Sequence, residues 1–218
     1  MTCDGDAMSY SNLPDDRTLT QEGLAPTRAG RILLIACGAL AREILDLKAT
    51  NGWSHLDLTC LPAKYHLYPE KITQAVRDTV AKHRANYDDF FVVYADCGTG
   101  GGLERACEEM GVQMVAGPHC YSFFQGNESF AKTSEDEITT FYLTDFLARH
   151  FEKLTIEGLG IDKHPELLPL YFGNYTRLVY ISQQEDPALQ KKAKAAADQL
   201  SLAYEYRFTG LTGLQDFL

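Results

Sequence analysis

Between residues 31 and 118 short apolar runs alternate with segments of helical period, and this alternation restricts the chain more than any other feature. Residues 31–37 carry Ile32, Leu33, Leu34, Ile35 and Ala36 without a polar break, as a strand buried on both faces does. Gly38 opens a helical stretch in which Leu40, Ile44 and Leu47 share a face. Residues 56–61 read as a second strand closed by Pro62. Pro69 and Glu70 start a helix carrying Ile72, Val76 and Val80. Residues 90–95 make a third strand, followed by a glycine-rich turn at 98–102 and a helix that stops at Gly111. Residues 112–116 make a fourth strand. This order, with short connections, predicts a Rossmann-like α/β fold: a mostly parallel sheet with helices on both faces.

The second half reads as more helical. Ser134 with Glu137 fits a capping box for a helix over 138–150. A short helix follows at 165–172, a fifth strand at 178–181, a helix opened by Asp186 and Pro187, a sixth strand at 203–208 and a closing helix or tail at 211–218. No linker composition cuts the chain, so residues 31–218 are expected as a single α/β domain behind a flexible N-terminal arm at 1–30. Cys37-Gly38 and Cys97-Gly98 each end a strand and precede a similar helix, which suggests two related β-α-β units.

The chain has 218 residues, long enough to bury a core without disulfide staples, and its formal charge is −10. That balance argues against nucleic acid or an anionic membrane as a partner and leaves a small-molecule substrate. No apolar run approaches the roughly 20 residues of a membrane span. The first 30 residues lack a secretory pattern and the six cysteines include no Cys-x-x-Cys, so free thiols in the cytoplasm are expected.

Ligands of open α/β sheets bind beyond the carboxyl ends of the strands. There the first strand delivers Cys37, the second His66, the third Asp96 and Cys97, and the fourth His119 and Cys120. Cys37 and Cys97 precede helices, where unpaired N–H groups favour a thiolate. Cys37, Cys97, His119 and Cys120 offer a zinc ligand set with an iron–sulfur cluster as the alternative, and His66 and Asp96 are candidate catalytic groups. Gly98, Gly100, Gly101 and Gly102 could cradle an anionic cofactor on backbone N–H groups. Tyr65, Tyr68, Tyr121, Phe123, Phe124, Tyr142, Tyr171, Phe172 and Tyr175 supply aromatic walls, a homo-oligomer interface or core packing, and Asp145 is either a carboxylate that orients a histidine or an exposed helix-face charge.

Ala36-Cys-Gly-Ala-Leu40, the stretch from Tyr94 to Leu103, Gly117-Pro-His-Cys-Tyr121 and Leu143-Thr-Asp-Phe146 together resemble the uncharacterised bacterial and archaeal family named as domain of unknown function 1638, over residues 31–210. Its members are often encoded near corrinoid-dependent methyltransferases. The resemblance therefore implies a metal-dependent enzyme, or a partner protein, in one-carbon (methyl) transfer. A cobalamin-binding signature is lacking, so the corrinoid would arrive on a partner. Two alternatives remain open: delivery of a metal or cofactor, and cofactor-independent chemistry by two cysteines, since the 95–99 turn is similar to the cysteine turns of aspartate/glutamate racemases.

Overall fold

A computed structural model describes residues 14–134 and 137–218. Cys3, the first part of the expected arm and the Ser134 side chain lie outside the described residues. The fold is α/β, and the seven strands among the described residues run parallel within two sheets. The first sheet holds β1 (Ile32–Cys37), β2 (Leu56–Leu61), β3 (Asp89–Val93) and β4 (Gln113–Met114) in the order β2-β1-β3-β4. The second holds β5 (Thr140–Leu143), β6 (Arg177–Ser182) and β7 (Ala203–Phe208) in chain order. The expected helix over 138–150 is instead β5 followed by a short helix, α7 (Asp145–Arg149), which the Thr144 hydroxyl caps at Leu147. β5 pairs with β6 from Thr140↔Arg177 to Leu143↔Tyr180, and this pairing overrides the local helical pattern.

In the first sheet, chain order reverses between β1 and β3, the switch point of a doubly wound sheet. The ladder ends at Ala36↔Val93, so Cys37 and Tyr94 are the next residues on neighbouring strands. The two β-α-β units lie on either side of this line. One crosses over through α2 (Ala41–Asn51) and the other through α4 (Gly102–Met110), while α3 (Ile72–His83) joins them. Each crossover helix ends in a left-handed glycine, at Gly52 and Gly111.

β6 joins the halves because it is buried on both faces. Val179 and Ile181 belong to the core built on β1, β2 and β3. Leu178 and Tyr180 face a second cluster with Leu189, Ala193 and Ala197 of α9 (Pro187–Gln199). Asp186 caps α9 by accepting from Ala188 N at 2.8 Å, as the sequence predicts.

Residues 14–30 correct the expectation of a flexible arm. Leu19, on the helix α1 (Asp16–Gln21), is fully buried, and Leu24 pairs with Cys60 through bonds of 2.8 and 2.9 Å, covering the β2 edge. Asp57 anchors residues 27 and 28. Its buried carboxylate accepts from Thr27 N and Oγ1, Arg28 N at 2.6 Å, Leu58 N at 2.8 Å and Tyr87 Oη at 2.7 Å. Burial alone would raise the Asp57 pKa; the Tyr87 and backbone donors outweigh it and hold the group ionised. Asp57→Ala should therefore cost about 2–4 kcal/mol and expose residues 24–31 to protease, as read by urea melts and limited proteolysis; unchanged stability would contradict the anchoring role.

A second buried carboxyl behaves in the opposite way. Glu43 on α2 is pushed up to about 7, first by burial and then by the neighbouring Asp145 charge. Its folded pKa exceeds its unfolded one, so the folded state binds more protons between roughly pH 4.5 and 7 and loses stability as pH rises through that window. Glu43→Gln should leave stability unchanged near pH 4.5 and raise it by on the order of 2–3 kcal/mol above pH 7. Melting curves across that range would show the two proteins diverging.

Candidate functional site

A cavity of about 370 Å³ lies between the carboxyl edge of the first sheet and the β5–α7 side of the second. Cys37, His66, Cys97, His119 and Cys120 all line it, so five of the six residues expected from strand ends converge there. Asp96 does not; it borders a separate recess with Glu104 and Glu108.

The loops after β3 and β4 carry the β3–β4 pairing beyond the strands themselves. Asp96 N donates to Gly117 O at 2.9 Å and Cys97 N to Pro118 O at 3.1 Å. Cys97 is left-handed, with φ of +45°, a backbone state that non-glycine residues seldom adopt. The result is a contact of 3.1 Å between Cys97 Sγ and Cys120 Sγ. The Cys120 thiol donating to Cys97 holds the Cys97 thiol below its ordinary range, aided by backbone N–H groups and opposed by burial. The same bond, together with burial, pushes Cys120 far up. Of the two thiols Cys97 is thus the one that ionises first, its sulfur accepting from the Cys120 thiol.

The expected reason for a thiolate at both strand ends needs correcting. α4 begins only at Gly102, so the Cys97 thiolate rests on Cys120 and not on the helix dipole. Cys37 does precede a helical turn, yet burial pushes its thiol up to about 11 and keeps the proton on. Tyr94 stands beside it with its side chain 2% exposed, and the Tyr94 hydroxyl makes no well-formed hydrogen bond among the described residues. Tyr94 lines the cavity and offers a ligand a buried donor. Sequence reasoning treats it as part of the third strand; its place beside Cys37 follows from the β1–β3 register.

The glycine loop is a second correction. Gly98, Gly100 and Gly101 have φ of +86°, +60° and +74°, which suits glycine, and their N–H groups do converge on an anion. That anion is Asp96. Its carboxylate accepts from Gly101 N at 2.7 Å, Thr99 Oγ1 at 2.8 Å, Gly98 N at 3.2 Å and Gly100 N at 3.3 Å, and the Gly101 bond does most to hold it ionised. Gly102 N donates to Thr99 O. The cradle expected for an anionic cofactor is thus filled from within, and Asp96 positions the loop instead of reaching the cavity. Asp145 also has a different role from the one expected. It accepts from Tyr180 Oη at 2.7 Å and from Gln183 N and Gln184 N, and orients no histidine.

Burial lowers the pKa of both His66 and His119, leaving neutral imidazoles at the rim. His119 stacks on Tyr121 at 4.8 Å and Tyr121 on Tyr142 at 5.0 Å, building one aromatic wall. Of the aromatics expected there, Tyr121, Phe124, Tyr142, Phe172 and Tyr175 line the cavity, whereas Tyr65, Tyr68, Phe123 and Tyr171 do not. Leu154 and Thr155, from a π-helical turn at Glu152–Ile156, complete it without a local sequence signal. Among the described residues, those lining the cavity include no Lys, Arg, Asp or Glu. Among the described residues no three His, Cys, Asp or Glu groups stand close enough to share one metal ion. Cys37, Cys97, His119 and Cys120 share a cavity without forming a ready cage for zinc or a cluster.

A family model described as "Protein of unknown function (DUF1638)" matches residues 60–218. The match holds His66, Cys97, His119 and Cys120 and leaves out β1 with Cys37. No curated protein and no solved structure matches the chain.

Alkylation by iodoacetamide should label Cys97 before the buried Cys37, Cys60 and Cys107, with an apparent pKa below that of a free cysteine. Cys120→Ala removes the donor and should move that pKa upward. Peptide mapping against pH checks both; an unmoved profile would leave the thiolate unexplained.

Proposed function

The chain belongs to the DUF1638 family, whose description names no activity, and from the site itself we propose an enzyme that transfers a one-carbon (methyl) group on small molecules, with Cys97 sulfur as the reacting atom. The observation that carries this reading is the Cys97–Cys120 contact of 3.1 Å at the edge of a cavity walled by aromatic side chains. A volume near 370 Å³ suits a small substrate and admits no polymer. A lining without Lys or Arg gives an anion no counter-charge. Tyr and Phe faces beside a thiolate favour a methylated cation, because ring quadrupoles and the sulfur charge both attract it.

In the proposed step the Cys97 thiolate attacks the methyl carbon of a quaternary ammonium. The new S–C bond forms as the C–N bond breaks, and the electron pair leaves on nitrogen, giving a neutral amine. Cys120 has by then surrendered its hydrogen bond to the uncharged thioether, and neutral His66 and His119 are available to exchange protons with the amine. The acceptor of the methyl group is a second small molecule or a corrinoid protein docked at the rim. No step runs through zinc or an iron–sulfur cluster, whose expected ligands form no cage.

One further observation favours a second reading. Cys37, whose thiol burial pushes up to about 11, and the more acidic Cys97 line the same cavity, which suits proton removal and return by two cysteines in a racemase- or isomerase-like reaction. Incubation with quaternary ammonium compounds carrying neutral substituents separates the readings. Methyl transfer predicts that Cys97 gains one methyl by mass spectrometry, that Cys97→Ser abolishes the gain, and that Cys120→Ala slows it about 10²-fold or more at neutral pH. Exchange of solvent deuterium into a carbon acid without any methyl on Cys97 would favour the second reading and overturn the first.

A further inference from the structure

We propose that Cys97 and Cys120 are a redox-active dithiol, an oxidative modification site whose reaction partner is a low-molecular-weight disulfide. The inference goes beyond methyl transfer and holds whichever group the site transfers, since it needs only the two sulfurs. They are 3.1 Å apart, so about 1 Å of movement brings them to bonding distance. The backbone bonds that join Asp96 to Gly117 and Cys97 to Pro118 already hold the two loops side by side. Cys97 and Cys120 are both half-buried, whereas Cys37, Cys60 and Cys107 are buried. The cavity gives a thiol reagent a route to Cys97. The three buried thiols are held protonated by burial, which slows them as competitors.

The chemistry balances in two exchanges. Cys97 sulfur attacks one sulfur of the small disulfide; that S–S bond breaks and the departing thiolate takes the electron pair. Cys120 then gives its proton to the departing thiolate and attacks Cys97 sulfur, forming the intramolecular S–S bond and releasing a second thiolate, which takes its proton from water. Two electrons pass from the protein pair to the small disulfide, which leaves as two thiols. The oxidised protein has no Cys97 thiolate, so the nucleophile is masked until a reducing thiol restores it.

The chain is equilibrated in reduced and oxidised glutathione mixtures, quenched in acid, alkylated and mapped by mass. Wild type should lose two alkylatable thiols together, at Cys97 and Cys120, with no glutathione retained. Cys120→Ser should trap glutathione on Cys97, about tenfold or more above wild type, because the resolving thiol is gone. Cys97→Ser should show neither product, and Cys37→Ser should behave as wild type. A stable glutathione adduct on wild-type Cys97, a Cys37–Cys97 bridge, or a Cys120→Ser protein that takes up no glutathione would each overturn the proposal. Thermal melts confirm that each variant is folded, and the assay needs no substrate, so its outcome is separate from that of methyl transfer.

Discussion

The Asp96 carboxylate governs the rim. Four donors from the next five residues close on it, and that closure obliges three glycines to adopt positive φ and places Cys97 in a left-handed backbone. A non-glycine residue in such a state costs on the order of 1–3 kcal/mol and persists only where its surroundings over-determine it. Here the over-determination comes from two sides: the Asp96 bonds within the loop, and the ladder to Gly117 and Pro118. Cys97 cannot relax without breaking one set. Its sulfur stays against Cys120, and the hydrogen bond between them makes Cys97 the more acidic sulfur and Cys120 its proton donor.

The location of the site was legible in the sequence, while its chemistry was read less well. Strand ends are easily found, and a parallel sheet delivers them to one edge, so Cys37, His66, Cys97, His119 and Cys120 could be gathered from the order of elements alone. The roles of individual groups depend on contacts that spacing does not encode. A glycine-rich turn reads the same whether its N–H groups await a cofactor or already hold the preceding aspartate. Two cysteines that each precede a helix look equivalent, yet burial pushes the Cys37 thiol up while the Cys120 hydrogen bond draws the Cys97 thiol down. Tyr94 itself was invisible because its position in an apolar run resembles core, and only the register opposite Cys37 reveals it as a cavity group.

The fold divides in the same manner. The first sheet follows from continuous apolar runs, which long-range pairing does not alter. β5 was read as helix because Ser134 and Glu137 fit a capping box ahead of it; both faces of the neighbouring β6 are buried, and partnership with β6 decides the matter. Residues 14–30 looked like a solvated arm because their composition is polar. Their order comes from Asp57 and Cys60, some thirty residues later, and from Asp16, which reaches Arg42 at 2.7 Å and His150 at 2.8 Å. A local reading has no access to an anchor supplied from elsewhere.

The same Asp96 bonds also shape which ligands can enter. The chain carries 30 acidic and 20 basic residues, so its long-range field draws cations and repels anions. An anion that reached the cavity would ordinarily find help from arginine or from free N–H groups at a glycine loop. The lining has no arginine, and the loop N–H groups are spent on Asp96. A cation meets the stacked faces of Tyr121 and Tyr142 and the charge on Cys97. Positioning of the sulfur and the absence of a backbone cradle for an anionic cofactor are thus two consequences of one set of hydrogen bonds.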